Sequence, residues 1–195
     1  MVKTIVSGGQ KSSLSFYGGS LCACVIIIAS FIIQTRDSPP LNEYLSKNIS
    51  SKKPYETFQE FYPYYLNEHK KEATRQFHYI GTTLSLVYFL TKPILSIPML
   101  AGGLAAYSII PFARHLSTGL VEVILFLTIY LTGGKLLTNS LIKTCIPLLI
   151  GYGFSWVGHF GFELNKPASF IYPTYSFFGD VRMMYDAMKG CNFSF

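Results

Sequence analysis

The chain has 195 residues, of which 50% are hydrophobic and only 13% are charged. An average soluble domain carries about 25% charged residues, so the composition argues against an ordinary soluble globule, and the 16% aromatic content excludes a disordered chain. The formal net charge of +6 is a modest excess, which suits loops oriented at a membrane surface better than a nucleic-acid-binding face.

The first 53 residues form a predicted extension ahead of the main domain. Residues 16–33 are uncharged and just long enough to cross a hydrocarbon core of about 30 Å, and Arg36 and Asp37 then end the apolar run. A cleavable signal peptide is the alternative, but no clean small-x-small cleavage site follows the run. We therefore expect an uncleaved membrane anchor at 16–33, followed by a polar linker.

Residues 54–190 form the predicted main domain, and residues 191–195 form a short tail. A mixed aromatic and charged helical stretch covers residues 61–82, and the apolar block that follows has four segments: 79–91, 93–112, 119–132 and 141–160. The first and third segments are too short to cross the hydrocarbon core by themselves. Either snorkelling lysines at their ends extend them, or the segments are partly re-entrant. Because β-branched residues show no period-2 alternation, the sequence predicts an all-α polytopic helical membrane bundle.

The segment after residue 163 is polar and aromatic. An apolar stripe at helical spacing predicts a short helix from about Gly179 to Lys189, and the stripe consists of Val181, Met184, Tyr185 and Met188. This stripe would pack on the bundle or lie in the membrane interface. The charged residues of the helix are interpreted as a solvated face: Asp180, Arg182 and Asp186.

Histidines are scarce, and three of the four flank the apolar block. His69 and His78 precede it, whereas His159 lies at its end, four residues before Glu163. Residues four apart project from one face of a helix, so His159 and Glu163 could bind one metal ion. Imidazole plus carboxylate, with open positions for O₂ and substrate, is a ligand set that iron(II) oxygenases use.

The spacing of His69 and His78 weakens a shared metal site. Nine residues apart on one continuous helix, they would lie on opposite faces. They can bind one metal ion only if the helix breaks between them or if one of them begins a new element. A lone histidine at a membrane border is more often a packing residue, and His115, which has no partner pattern, is interpreted as structural.

Positive charges indicate the orientation of the bundle. Residues 34–78 hold seven Lys and Arg, and the chain after residue 160 holds three, so the positive-inside rule assigns both segments to the cytoplasm. An even number of crossings between them would return all the candidate ligands to that side. The glycosylation sequons at Asn48 and Asn192 should then stay unmodified.

At these residues the sequence resembles the Mpo1-like family, also called domain of unknown function 962. The resemblance covers roughly residues 54–190 and rests on two motifs, FYPYYLNEHKKEATRQFHYIGT and WVGHFGFELNKPASFIYPTYSFFGDVRMMYDAMKG. The family pattern is YL-x-x-H…R-x-x-H-Y-x-G-T and GH-x-x-x-E-x-N-x-P-A…GD-x-x-M, flanking hydrophobic helices. This sequence departs from it in its long apolar block and in residues 1–53, which have no family counterpart.

The resemblance implies an iron(II)-dependent dioxygenase of the endoplasmic reticulum membrane. Such an enzyme uses O₂ to α-oxidise 2-hydroxy fatty acids, derived from phytosphingosine breakdown, to acids one carbon shorter, in contact with membrane lipid. The alternative is a non-catalytic membrane scaffold or lipid-binding protein of the same fold. A di-iron desaturase or hydroxylase is excluded, because those enzymes resemble one another in about eight clustered histidines and this chain has four.

The resemblance also implies roles for individual residues. The expected iron ligands are His69, His78 and His159, with Glu163 a fourth ligand or a partner of a ligand. Asn165 would orient a ligand or the substrate. Arg75 would pair with the substrate carboxylate, or else form a structural ion pair with Glu68 or Glu72.

Overall fold

The computed structural model describes residues 53–190, so the predicted anchor at 16–33 and the tail at 191–195 lie outside the described residues. Within that range all regular structure is helical, as the sequence predicts. Its α-helices are α1 (Phe58–Asn67), α2 (Glu72–Thr91), α3 (Ser96–Ser108), α4 (Ile110–Ala113), α5 (Leu120–Thr138), α6 (Leu141–Trp156) and α7 (Pro173–Gly190). There are also 3₁₀ turns at Pro93–Leu95 and Ala168–Phe170, and a π-helical turn, Val157–Glu163, that continues α6.

Four long helices run back and forth between two ends of the fold. α2 packs along α6, α3 packs along α5, and α5 also contacts α6. At one end, Tyr107 of α3 contacts Tyr175 of α7; at the other, Gly134 of α5 packs directly against Thr144 of α6. The chain therefore leaves the first end in α2, returns in α3, leaves in α5 and returns in α6. Both ends of the apolar block consequently lie at the same end of the fold.

The helix α5 is longer than the predicted segment 119–132, because it continues through Gly133 and Gly134 to Thr138. A Cβ at Gly133 would lie 2.8 Å from the Cβ of Pro98. Small residues let the backbones of neighbouring helices approach closely in membrane proteins. The glycine pair is therefore a packing site in the helix, and it does not end the helix as the sequence suggested.

The helix α7 begins at Pro173, six residues before the predicted start at Gly179. Proline suits the first position of a helix, because its fixed φ is already helical and its missing N–H would be unbonded there. The buried face of α7 differs from the predicted apolar stripe and consists of Tyr175, Ser176, Phe178, Gly179 and Met183. Met188, the last residue of that stripe, is 50% exposed.

The connection between α2 and α3 is a sharp bend. α2 and the segment Pro93–Ser108 differ in direction by 109°, whereas the two arms of an antiparallel hairpin would differ by about 180°. Proline at position 93 offers no N–H to continue α2, which ends at Thr91. The two helices therefore diverge from the bend, and a space opens between them.

Two helical segments are long and apolar enough to cross a membrane, namely Leu120–Thr138 and Leu141–Glu163. The bent pair of α2 and Pro93–Ser108 adds a third if it counts as one span. Large apolar side chains project outward from the segment Leu141–Glu163, with Ile142 77% exposed and Leu149 70% exposed. Such contiguous exposed apolar surface is typical of a protein whose surroundings are lipid.

A cluster of aromatic side chains joins α1 to α7 at the histidine end of the fold. Its buried members include Phe58, Phe61, Tyr65, Tyr172 and Tyr175. A capping box begins α1: the Thr57 hydroxyl accepts from the N–H of Glu60, whose carboxylate accepts from the N–H of Thr57. These contacts fix the position of α1 and therefore of the connection between α1 and α2 that follows it.

Candidate metal centre

Three buried histidines from distant parts of the chain meet at one end of the bundle. One ligand nitrogen from each of His69, His78 and His159 lies within 4.8 Å of the other two. The ring centroids are 4.5 Å apart for His69 and His78, 4.6 Å for His69 and His159, and 5.1 Å for His78 and His159. This arrangement could hold a metal ion.

His69 lies in the connection between α1, which ends at Asn67, and α2, which begins at Glu72. The helix is therefore broken between His69 and His78, which is the condition under which the sequence allowed them to share a metal ion. The Nδ1 of His69 donates to the carbonyl oxygen of Tyr65 at 2.7 Å, while its Nε2 is buried without a hydrogen-bond partner in the described range. Burial, together with the neighbouring His78, lowers the pKa of His69 to about 3. The ring is thus neutral, and its Nε2 lone pair is available to a metal ion.

His78 lies in the second turn of α2 and is held by α7. Its Nδ1 lies 2.5 Å from the Oδ1 of Asp180, which also accepts a hydrogen bond from the Tyr65 hydroxyl at 2.5 Å. Removal from water acts to raise the pKa of Asp180, but His78 and Tyr65 hold that pKa below its usual value, so the carboxylate is ionised. A Cβ at Gly179 would lie 2.9 Å from the Tyr65 ring, so the glycine makes room for this contact.

His159 lies in the π-helical turn at the end of α6. Its Nδ1 donates to the Oδ1 of Asn165 at 2.7 Å, and the Asn165 amide nitrogen donates to the carbonyl and carboxylate oxygens of Glu68 at 3.0 and 2.8 Å. The two acceptors at its nitrogen fix the orientation of the Asn165 amide. Leu164, at φ 61°, turns the chain so that the Asn165 N–H donates to the His159 carbonyl oxygen. π-Helical turns of this kind occur often at functional sites.

The three histidines therefore share one pattern of hydrogen bonding. Each Nδ1 is bonded to a protein oxygen, so Nε2 is the ring nitrogen that each histidine can offer to a metal ion. The Nε2 of His78 also lies 3.2 Å from the Ser155 hydroxyl, which a bound metal ion would have to displace. Histidine ligands almost always donate the other ring N–H to a carboxylate, carbonyl or similar acceptor, and that bond fixes the tautomer. Three imidazoles with open positions suit iron, zinc, copper or nickel. The residues present thus fit a catalytic transition-metal ion, including iron(II).

Glu163 and Arg75 lie beside this centre and hold the connection that carries His69. The carboxylate oxygens of Glu163 accept from the backbone N–H groups of Lys70 and Lys71 at 3.1 and 3.0 Å, so they face that connection. The Nε of Arg75 donates to the carbonyl oxygen of His69 at 2.6 Å. Both side chains thus contact the backbone around His69, and neither joins the group of three ligands.

Two further residues of the site, Asp180 and Tyr65, were not predicted from the sequence as site residues. Asp180 was interpreted as part of a solvated face, but it contacts His78, and Tyr65 contacts Asp180. The available signal was the GD-x-x-M segment of the second motif, in which Asp180 follows Gly179. His115 is exposed and lies outside the centre, in the loop after α4.

An elongated cavity of about 390 Å³ begins at the three histidines and extends into the bundle. Its walls come from α2, α3, α5, α6 and α7, and most of the lining side chains are apolar. Arg75 does not line it. Pockets for small molecules are commonly of this size, with apolar walls and a few polar groups that fix orientation. Within the described range, the one group of histidines that could hold a metal ion thus lies at one end of an apolar cavity.

These features define a class of protein: an all-helical bundle with two or three segments that could span a membrane, and with three histidines that could hold a metal ion at one end of an apolar cavity. A family model described as "2-hydroxy-palmitic acid dioxygenase Mpo1-like" matches residues 55–191. The chain therefore belongs to the Mpo1-like family. No curated protein matches the chain, and no solved structure does.

Proposed function

We propose that this protein is an iron(II)-dependent dioxygenase that α-oxidises 2-hydroxy fatty acids to acids one carbon shorter. The observation that carries the proposal is the triad of His69, His78 and His159, whose ligand nitrogens lie within 4.8 Å of one another while each Nδ1 is bonded to oxygen. The family description names 2-hydroxy-palmitic acid as the substrate of a dioxygenase of this type. Metal site and family description thus support the same chemistry.

The three histidines would hold iron(II), which when bound supplies O₂ activation and chelation of an α-hydroxycarboxylate. The protein's own contribution is to fix the ligands. Asp180 orients the imidazole of His78, and Asn165 orients that of His159. Partners of this kind set the basicity and the direction of a ligand.

Glu163 and Arg75 have a positioning role in this proposal. Arg75 bonds the His69 carbonyl, and Glu163 bonds the two N–H groups that follow His69. Together they hold the only ligand of the triad that lies outside a helical element. Because Arg75 does not line the cavity, the carboxylate of the substrate would be bound through the metal and its open positions.

The apolar cavity supports a substrate with a long hydrocarbon chain. Its polar end lies at the triad, where the carboxylate and the 2-hydroxyl of the substrate would bind, and its remaining walls would exclude water from the chain. An acyl chain partitions into lipid, so an enzyme embedded in a membrane meets its substrate in the phase where the substrate dissolves.

We further propose that the protein is a multi-pass protein of the endoplasmic reticulum membrane, with the metal centre facing the cytoplasm and a role in phytosphingosine breakdown. The organelle and the pathway follow from the family resemblance. The orientation follows from the positive-inside rule: the connection at the centre carries Lys70 and Lys71, and Arg75 follows at the start of α2. The four long helices α2, α3, α5 and α6 return the chain to the end of the fold at which it started, which supports His78 and His159 lying on the same side of the membrane.

The decisive experiment uses the full chain, purified in detergent, loaded anaerobically with iron(II) and mixed with 2-hydroxypalmitate and O₂. We expect pentadecanoate to form with matching consumption of O₂. The variants His69→Ala, His78→Ala and His159→Ala should each lose bound iron and activity, whereas His115→Ala should keep both. Stoichiometric iron without product or O₂ consumption would favour the alternative, a non-catalytic scaffold or lipid-binding protein.

A further inference from the structure

We infer that acyl-chain preference is set in the half of the cavity remote from the histidines, and that Gly103 keeps this half open. The inference rests on the proposed function, because it takes the ligand of the cavity to be the hydrocarbon chain of a 2-hydroxy acid. It adds a specificity-determining position that lies far from the metal centre.

The cavity is long enough for one acyl chain. On α2 its lining residues run from His78 to Leu90, which are 12 positions apart, or about 18 Å at 1.5 Å per residue. A bilayer hydrocarbon core of about 30 Å is two chains thick, so one chain of membrane-lipid length needs about 15 Å. With the carboxylate at the triad, such a chain would reach the remote end of the cavity.

Buried side chains lie at the remote end of the cavity. Phe89 of α2 is buried with Leu95 and Tyr130, and Met99 packs against this cluster. Ser96, at the start of α3, is 1% exposed and also lines the cavity. The cluster thus forms a floor against which the end of an acyl chain would stop.

Gly103 lies on the cavity wall between this floor and the triad. It follows Ser96 by seven residues on α3, which corresponds to about 10 Å along the helix. It belongs to the face of α3 that lines the cavity, together with Met99, Leu100 and Tyr107. A Cβ built on Gly103 meets nothing within 4 Å. A large side chain there would enter the cavity.

The neighbouring glycine has a different role, which shows that the open space is specific to position 103. A Cβ at Gly102 would lie 3.0 Å from the carbonyl oxygen of Phe126, so Gly102 is required for α3 to approach α5. Glycine in a helix interior costs roughly 0.5–1 kcal/mol relative to alanine. Close packing explains this residue at position 102, whereas no packing contact explains it at position 103.

The test compares Gly103→Phe with Gly153→Phe in the full-length, iron-loaded protein. Gly153 is a matched control, because it also lies in a helix, is exposed outside the cavity, and would place its Cβ in open space. The substrates are 2-hydroxypalmitate and 2-hydroxyoctanoate, and the readout is the ratio of their kcat/KM values. We expect Gly103→Phe to lower this ratio at least tenfold, with bound iron unchanged, and Gly153→Phe to leave it within twofold.

Graded variants keep the inference falsifiable if Gly103→Phe does not fold. Gly103→Ala adds one methyl group to open space and should leave the ratio within twofold, whereas Gly103→Leu should lower it by an intermediate factor. An unchanged ratio in Gly103→Phe, or in Gly103→Leu if the phenylalanine variant does not fold, would overturn the inference while leaving the proposed function intact. A wild-type protein that turns over neither acid would instead refute the proposed function, and with it the assignment of the cavity to an acyl chain.

Discussion

The substitution Asp180→Asn tests how strongly metal binding depends on the partner of His78. His78 Nδ1 and the Tyr65 hydroxyl both lie 2.5 Å from a single oxygen, Oδ1 of Asp180. Asparagine keeps that oxygen as an acceptor but removes the negative charge. Hydrogen bonds to charged groups contribute about 1.5–3 kcal/mol and neutral ones about 0.5–1.5 kcal/mol, so each contact should lose about 1 kcal/mol.

A loss of about 1–2 kcal/mol in the free energy of metal binding corresponds to an affinity roughly 5- to 30-fold weaker. This range overlaps the 10- to 100-fold loss that is typical when the partner of a histidine ligand is changed. The assay is competition for iron(II) against a chromophoric chelator, with the melting temperature measured in parallel. Asp186→Asn is the matched control, because its carboxylate lies on the same helix but bonds Arg182 and Tyr62. Equal affinities in Asp180→Asn and the wild type would refute the reasoning.

Three other predictions concern a buried ion pair, the role of Glu163 and the orientation in the membrane. Lys53→Met should lower the free energy of unfolding by about 3–5 kcal/mol, because it leaves the Glu122 carboxylate buried without the ammonium group that lies 2.8 Å from it. Thermal unfolding in detergent measures this loss, and the double variant that adds Glu122→Gln should recover most of it. Glu163→Gln offers one acceptor oxygen to two amide donors, so iron affinity should fall by less than about tenfold, and complete loss of iron would indicate direct ligation. The sequons at Asn48 and Asn192 should remain unmodified in a eukaryotic cell, and a glycosidase-sensitive mass shift at either would contradict the proposed orientation.

The helical class of the fold could be predicted from composition and periodicity, but several helix boundaries could not. Proline 93 ends α2 as the sequence suggested, since it removes an N–H from the helix. The predicted segment 119–132 likewise stops before Gly133 and Gly134, yet α5 continues through them because Pro98 and Thr144 pack where side chains would be. Whether a glycine ends a helix or serves its packing depends on a neighbour distant in sequence.

The resemblance to the family implied the three histidines as a set, whereas Asp180 as the partner of His78 could not be predicted from spacing. Asp180 bonds a residue 102 positions earlier in the chain, and helical spacing within α7 carries no information about that contact. Asn165 was expected to orient a ligand or the substrate, and in the structure it accepts from His159. Its position six residues after that histidine made the contact a local one.

The triad is built where the helices depart from regular α geometry, and this explains why spacing alone left the site undecided. His69 lies in the break between α1 and α2, and His159 lies in a π-helical turn that a left-handed Leu164 brings to an end. In an uninterrupted helix His69 and His78 would face opposite directions. Each departure is held by side chains from the other end of the block: Glu163 bonds the break, and Glu68 bonds Asn165. The two motifs thus fix each other's backbone, so neither half of the metal centre is complete until the bundle between them has folded.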